Sequence, residues 1–202
     1  RVQALLEEFR DCHVVASRPE VSAALSAHES ARVLVGEGID ALFDFSSSDP
    51  SIVSLRERFA LAPNDLSSPQ AQAAMAVTAL TAGISRCVSI EAANGLDTHF
   101  NNWETDQGPA QMEGFNVVAA MMAELDAIPY QGSGTTWLDH TTIVGFSEFS
   151  RTALLNANGG RDHSLTNACF LAGAGIKPGA YGASSSVGLL PQGVDLSTGA
   201  VV

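Results

Sequence analysis

TTIVGFS, residues 141–147, is an apolar, β-branched run of the length expected for a strand buried on both faces. Such a strand belongs inside a parallel sheet covered by helices on each side. Upstream, PAQMEGFNVVAAMMAELDAI (109–128) spaces Met112, Phe115, Ala119, Met122 and Leu125 at three and four. That spacing lays one apolar stripe along a helix, with the methionines as core filler. SRCVSIE (85–91) reads as a short strand before it. Earlier still, Ser68 as N-cap, Pro69 at the first helical position, the alanine-rich QAQAAMAVTALTA and Gly83 punctuate another helix. Downstream, NACFLAGAGI (167–176) is a third candidate strand, although its alanines also suit a helix. The order helix, strand, helix, strand, strand predicts an α/β domain with a mainly parallel sheet flanked by helices.

Residues 1–68 read as a partly helical, irregular segment of the same domain, and 69–202 as its α/β core. VQALLEEF (2–9) and VSAALSAHESARVLV (21–35) suit short helices, whereas FSSSDPS (45–51) and LAPNDLSSP (61–69) are rich in turn residues. His13 and His28 have no acidic or histidine partner at a helical step and read as solvated.

In an open parallel sheet, the loops leaving the carboxyl ends of the strands form the ligand crevice. NGLDTHFNNW (94–103), after the first strand, carries Asp97 and His99, with Glu91 just before it. The loop after the second carries Ser147, Glu148 and Arg151, and NGGRDH (158–163) adds Arg161, Asp162 and His163. Asp97 and His99 are two apart, so on an extended chain both face one side. A carboxylate oxygen and an imidazole nitrogen so placed can share a divalent cation at about 2.0–2.2 Å. Adjacent Asp162 and His163 face opposite sides, which suits two cations, or one ligand and one orienting partner. Gly159 and Gly160 allow a sharp turn before Arg161. Arg151 and Arg161 could fork around an oxyanion; the plainer alternative pairs Arg151 with Glu148 and Arg161 with Asp162.

The chain has 202 residues, 46% hydrophobic and 16% charged, enough for one substantial core. A net charge of −12 with ten basic residues excludes nucleic acid as a partner, since binding it requires clustered cations. No apolar run reaches the length of about 18 residues that a membrane span requires. Cys12, Cys87 and Cys169 are far apart with no C-x-x-C pair, which argues against a cysteine-type zinc site. Cys87 and Cys169 are expected as small buried apolar side chains. No basic-then-apolar leader is present. The chain starts at Arg1 and stops at the apolar STGAVV, which reads as part of a longer precursor.

LDTHFNN, TTIVGFSEFSRT, NGGRDH and LAGAGIKPGAYG occur in an order and spacing that resembles a bacterial sulfatase-like family, a domain of unknown function (DUF1501) placed near the alkaline phosphatase superfamily. The resemblance covers about residues 70–200. It implies an alkaline-phosphatase-like sheet flanked by helices, with divalent cations at the carboxyl ends of the strands, and makes this chain a fragment of a larger domain. As metal ligands it implies Asp97 and His99 in the first position, Glu148 in the second and His163 in the last, with Asp162 beside it. The ion would be zinc or calcium. Ser150 stands where the family usually has Gly, and Ser164 where it has an aromatic. Glu148 and Phe149 stand where the superfamily commonly has Asp followed by His or Asn, so one ligand is in question. The superfamily's nucleophile comes from a strand that residues 1–68 do not display. Family members carry an export signal, which implies a periplasmic or extracellular location.

Two functions follow. The first is a metal-dependent hydrolase of phosphate or sulfate esters, acting on a small anionic ester, with Asp97, His99, Glu148, Asp162 and His163 around the metal and Arg151 and Arg161 as catalytic cations. The second is a secreted, non-catalytic binding or structural protein of the same fold. The missing nucleophile, Phe149 and the 6% aromatic content motivate it.

Overall fold

The computed structural model describes residues 38–202, together with 26, 27, 29, 33 and 36. The helix expected at 2–9, most of that at 21–35, Cys12, His13 and His28 lie outside the described residues. The chain forms two compact units, Arg1–Arg56 with Ala62–Asn64, and Glu57–Leu61 with Asp65–Val202. In the first, a short 3-10 helix spans Ile39–Phe43, and Arg56 Nη1 donates to the Phe45 carbonyl at 2.6 Å. Helix α1, Pro50–Phe59, starts where Asp49 Oδ1 accepts from the Ser51 amide at 2.8 Å, a side-chain cap ahead of a first-turn proline.

Every residue singled out for the site belongs to the second unit. Helix α2, Pro69–Thr81, begins where Ser68 accepts from the Ala71 amide at 3.1 Å. It ends at Gly83, whose φ of 72° lets the Ile84 amide turn back to the Ala79 carbonyl at 2.9 Å, a Schellman closure. Ala71, Ala73, Ala74, Ala76 and Val77 are buried, and α2 packs against helix α3, Gly108–Ala127.

The buried face of α3 is Gly114, Val117, Met121, Glu124 and Leu125, so that of the expected stripe only Leu125 is buried. Met112 and Phe115 are 64% and 59% exposed. The helix is apolar on nearly all sides, so periodicity alone does not fix which face turns inward. The backbone decides at Gly114, where a Cβ would meet the Ala93 side chain at 2.8 Å and the Ala92 carbonyl at 3.2 Å. The segment entering the site loop crosses α3 there. Glu124, 6% exposed, is held by Arg58 through Nη2 to Oε1 at 2.8 Å and Nε to Oε2. This forked pair compensates a charge that would be costly to bury alone.

The expected mainly parallel, alkaline-phosphatase-like α/β sheet is not present in the described residues. Two short antiparallel pairs take its place. Strand β1, Thr142–Gly145, pairs with β4, Phe170–Gly173. Between them β2, Ser150–Arg151, pairs with β3, His163–Ser164. Further bonds continue inward, from the Thr152 amide to the Asp162 carbonyl at 2.9 Å and from the Asn156 amide to the Gly160 carbonyl at 2.8 Å. Residues 142–173 are thus one long interrupted hairpin with its tip at 156–160.

Parallel pairing needs a crossover that returns the chain to the same end of the sheet, typically through a helix. Helix α3 does lie between 85–91 and β1, but 85–91 joins no ladder among the described residues. The Glu91 amide instead donates to the Gln72 side chain at 2.9 Å. With no helix between β1 and β4, the chain folds straight back. Strand β1 alternates exposed and half-buried residues, a one-sided ribbon where a two-sided buried strand was expected. Cys87 and Cys169 are exposed free thiols, contrary to their expected burial. No helix among the described residues is long and apolar enough to cross a membrane.

Leu125 is completely buried, so Leu125→Ala should destabilise the protein by about 2–5 kcal/mol. Loss of the cap in Ser68→Ala should cost about 1 kcal/mol. Urea unfolding at constant slope reads both, and equal effects for the two variants would contradict this placement of the core.

Candidate metal centre

Thr98 anchors the site loop. It is 1% exposed and its Oγ1 donates to the Gln107 side-chain oxygen at 2.8 Å. Gln107 closes a π-helical turn, Trp103–Gln107, that leads directly into α3; such turns are frequent at functional sites. With Thr98 turned inward, alternation along the chain sends Asp97 and His99 outward together.

The hairpin tip lies on this segment. Phe100 and Gly159 form an antiparallel bridge, and the Arg161 amide donates to the Thr98 carbonyl at 3.1 Å. A Cβ on Gly160 would sit 2.0 Å from the His99 carbonyl carbon, inside any allowed contact. Gly159 supplies the positive φ of the turn, 76°, and Gly160 supplies the close approach. Behind the tip, Arg151 and His163 are directly opposite in the β2–β3 pair, so their side chains share a face.

The result is a group of three donor atoms, from Asp97, His99 and His163. His99 Nε2 lies 3.0 Å from Asp97 Oδ1 and 3.0 Å from His163 Nε2, and the third side, His163 Nε2 to Asp97 Oδ1, is 3.2 Å. A tetrahedral ion with bonds of about 2.0–2.1 Å spaces its ligand atoms about 3.3 Å apart. The triangle therefore fits one face of such a coordination shell. Two imidazoles and one carboxylate suit zinc or another first-row transition ion, whereas calcium takes six to eight oxygens. Three protein donors also leave a coordination position open, as catalytic zinc sites do.

Asp162 lies on the other side of His99, its Oδ1 3.2 Å from Nδ1. An ionised carboxylate only accepts, so Asp162 draws the His99 proton to Nδ1 and leaves Nε2 the lone pair that a cation needs, while Asp97 Oδ1, 3.0 Å from Nε2, draws it the other way. Arg151 sides with Asp162. Its Nη1, a pure donor, is 3.2 Å from His99 Nε2, and its Nη2 donates to Asp97 Oδ1 at 2.5 Å. The Arg151 guanidinium, and next the His163 ring, pull the Asp97 carboxyl from its ordinary 3.8 down to about 2. Hydrogen bonds from Asn156 and then His99 lower that of Asp162.

Of the other residues singled out in sequence, Glu148 is exposed and contributes no atom to the triangle. Arg161 turns away from it. Its Nη1 donates to the Thr152 carbonyl at 2.8 Å and to the Ala153 carbonyl, and its guanidinium lies 4.5 Å from the centre of the Trp103 ring. Arg151 pairs with Asp97 and not with Glu148, and Arg161 pins the hairpin arm. Two neighbours were not read as site residues. The Phe149 ring lies 4.0 Å from that of His163, tilted by 32°, and covers one of its faces. Asn156 bonds to both Asp162 and the His99 carbonyl; its only sequence signal is a turn-forming residue before two glycines.

Zinc should bind the purified protein in titration calorimetry, and calcium should not. His99→Ala or His163→Ala should weaken binding by more than the roughly 10–100-fold typical of an outer-shell partner; an unchanged affinity in both variants would remove these rings from the site. A second expectation concerns acid. Because the folded-state value of Asp97 lies below the unfolded one, near 3.9, the unfolded chain takes up the proton first as pH falls. The contribution of Asp97 to stability is therefore complete above about pH 4 and is lost towards about pH 2. Asp97→Asn should flatten that part of the pH dependence of urea unfolding at low salt, and superimposable profiles would show that the ion pair adds nothing.

No curated protein and no solved structure matches the chain. A family match runs over residues 1–196, and so takes in the first 68 residues, which resemble the family only loosely by their motifs. The chain belongs to the family described as a protein of unknown function, DUF1501.

Proposed function

We propose that this protein is a metal-dependent hydrolase of phosphate or sulfate esters, sulfatase-like in its chemistry and not in its fold. One observation carries the reading: the donor atoms of Asp97, His99 and His163 form a triangle with sides of 3.0–3.2 Å, with a guanidinium at its edge. A divalent cation held there would polarise an ester oxygen and lower the pKa of an oxygen nucleophile. The protein's own groups do the rest. Asp162 keeps the His99 proton on Nδ1, so that Nε2 stays available. Phe149 covers one face of His163 and limits the orientations of that ring. Arg151 sets a permanent positive charge, 14% exposed, beside the place where negative charge grows in the transition state, where it is worth more than in water. The preferred substrate is therefore a small anionic ester. A periplasmic or extracellular setting belongs to the same proposal, on the resemblance of the motifs.

The second reading is a non-catalytic binding or structural protein. It is favoured by Arg151, which already bonds to Asp97 and His99 and so balances the cluster with an internal cation.

Assays of the zinc-loaded protein with p-nitrophenyl phosphate and p-nitrophenyl sulfate separate the two. Hydrolysis of one ester should be abolished by a chelator and restored by zinc. Arg151→Met should lower kcat by about 10²–10³-fold, the usual effect of losing one transition-state donor. Zinc binding without turnover of either ester would favour the second reading.

A further inference from the structure

We infer that Asn156 is a positioning residue for the metal centre: through Asp162 it holds His99 in the tautomer that presents Nε2 to the cation. The inference rests on the metal reading above.

Every hydrogen-bonding position of the Asn156 side chain is used, and each partner has one possible role. Nδ2 donates to the His99 carbonyl at 3.0 Å and to Asp162 Oδ1 at 2.8 Å, both of them acceptors only. Oδ1 accepts from the amides of Asn158 at 2.9 Å and Gly160 at 3.0 Å, both of them donors only. An amide turned end for end would face oxygen with oxygen and N–H with N–H, so its orientation is fixed.

The main chain of Asn156 is committed as well. Its amide donates to the Gly160 carbonyl at 2.8 Å, and its carbonyl accepts from the Gly159 amide at 3.1 Å. One residue thus closes the hairpin tip, ties that tip to the backbone of His99 and holds the carboxylate that faces the His99 ring. Asp162 Oδ1 is the shared atom, 2.8 Å from Asn156 Nδ2 and 3.2 Å from His99 Nδ1. Asp162 is exposed, so its side chain would sample several rotamers without a second anchor. With that anchor its acceptor stays on Nδ1, an outer-shell arrangement that orients the ring and favours Nδ1–H against the opposing pull of Asp97 Oδ1, 3.0 Å from Nε2.

Asn156→Asp is the informative variant. It keeps the shape and the oxygen that accepts from the turn amides, but replaces the donating amide with an acceptor that repels Asp162 and the His99 carbonyl. Long-range ¹H–¹⁵N correlation spectra of metal-free protein, above the pH range of histidine protonation, read the tautomer directly. Wild type should show His99 with the proton on Nδ1, and the variant a shift towards Nε2–H, with circular dichroism unchanged. Zinc affinity should fall by about 10–100-fold. If Asn156→Asp does not fold, Asn156→Ser, which retains a hydroxyl near the turn amides, is read in the same way and should give the same shift. An unchanged His99 tautomer in the folded variant overturns the inference. Absence of zinc binding by wild type would instead remove the metal reading, while the tautomer measurement would still decide the role of Asn156.

Discussion

The site depends on a place where two backbones touch. Gly160 rests on the His99–Phe100 peptide with no room for a Cβ, and the Arg161 amide reaches the Thr98 carbonyl. These contacts hold the tip of the hairpin against the segment that carries Asp97 and His99. Without them, Arg151 and His163 on the two arms would have no reason to meet two residues more than fifty positions earlier in the chain. Glycine is required because the contact is between main chains. A Cβ there would meet the His99–Phe100 peptide at 2.0–2.3 Å and push the tip away from it.

That contact concentrates more chemistry than the local polar groups can satisfy among themselves. Two imidazoles and a guanidinium crowd around Asp97 Oδ1, and the guanidinium also reaches His99 Nε2. Arg151 bonds to Asp97 and His99, the same residues a cation would draw on, so the charge of the cluster is already compensated by an internal cation that an external one would have to share with. The family assignment carries no activity with it, and the chemical reading stands on these atoms.

Much of the local structure was legible in the sequence. Ser68, Pro69 and Gly83 mark the ends of α2 because caps, first-turn prolines and left-handed glycines act over three or four residues. The alternation that places Asp97 and His99 on one side is equally local. Apart from Leu125, the inward face of α3 was not legible, because a helix apolar on nearly all sides has no preferred direction until Gly114 admits the 92–93 segment. The direction of the sheet was hidden for a similar reason. Short apolar runs separated by polar loops do not encode which run pairs with which, and helix–strand alternation suggested a crossover that 85–91 never completes. Glu148 looked like a ligand because an acid at the end of a strand suits that role, yet a bend in the chain leaves it in solvent.

The sequence by itself determined the inventory: which residues can ligate, which turns can form, and that the chain carries a net charge of −12. These follow from side-chain chemistry and from interactions between near neighbours. Only the tertiary structure decided that Asp97, His99 and His163 form one group, that Arg151 faces it while Arg161 turns away, and that Asn156 joins the two halves. The distances that matter there are set by contacts between residues more than fifty positions apart, and such contacts are selected by the packing of the whole unit.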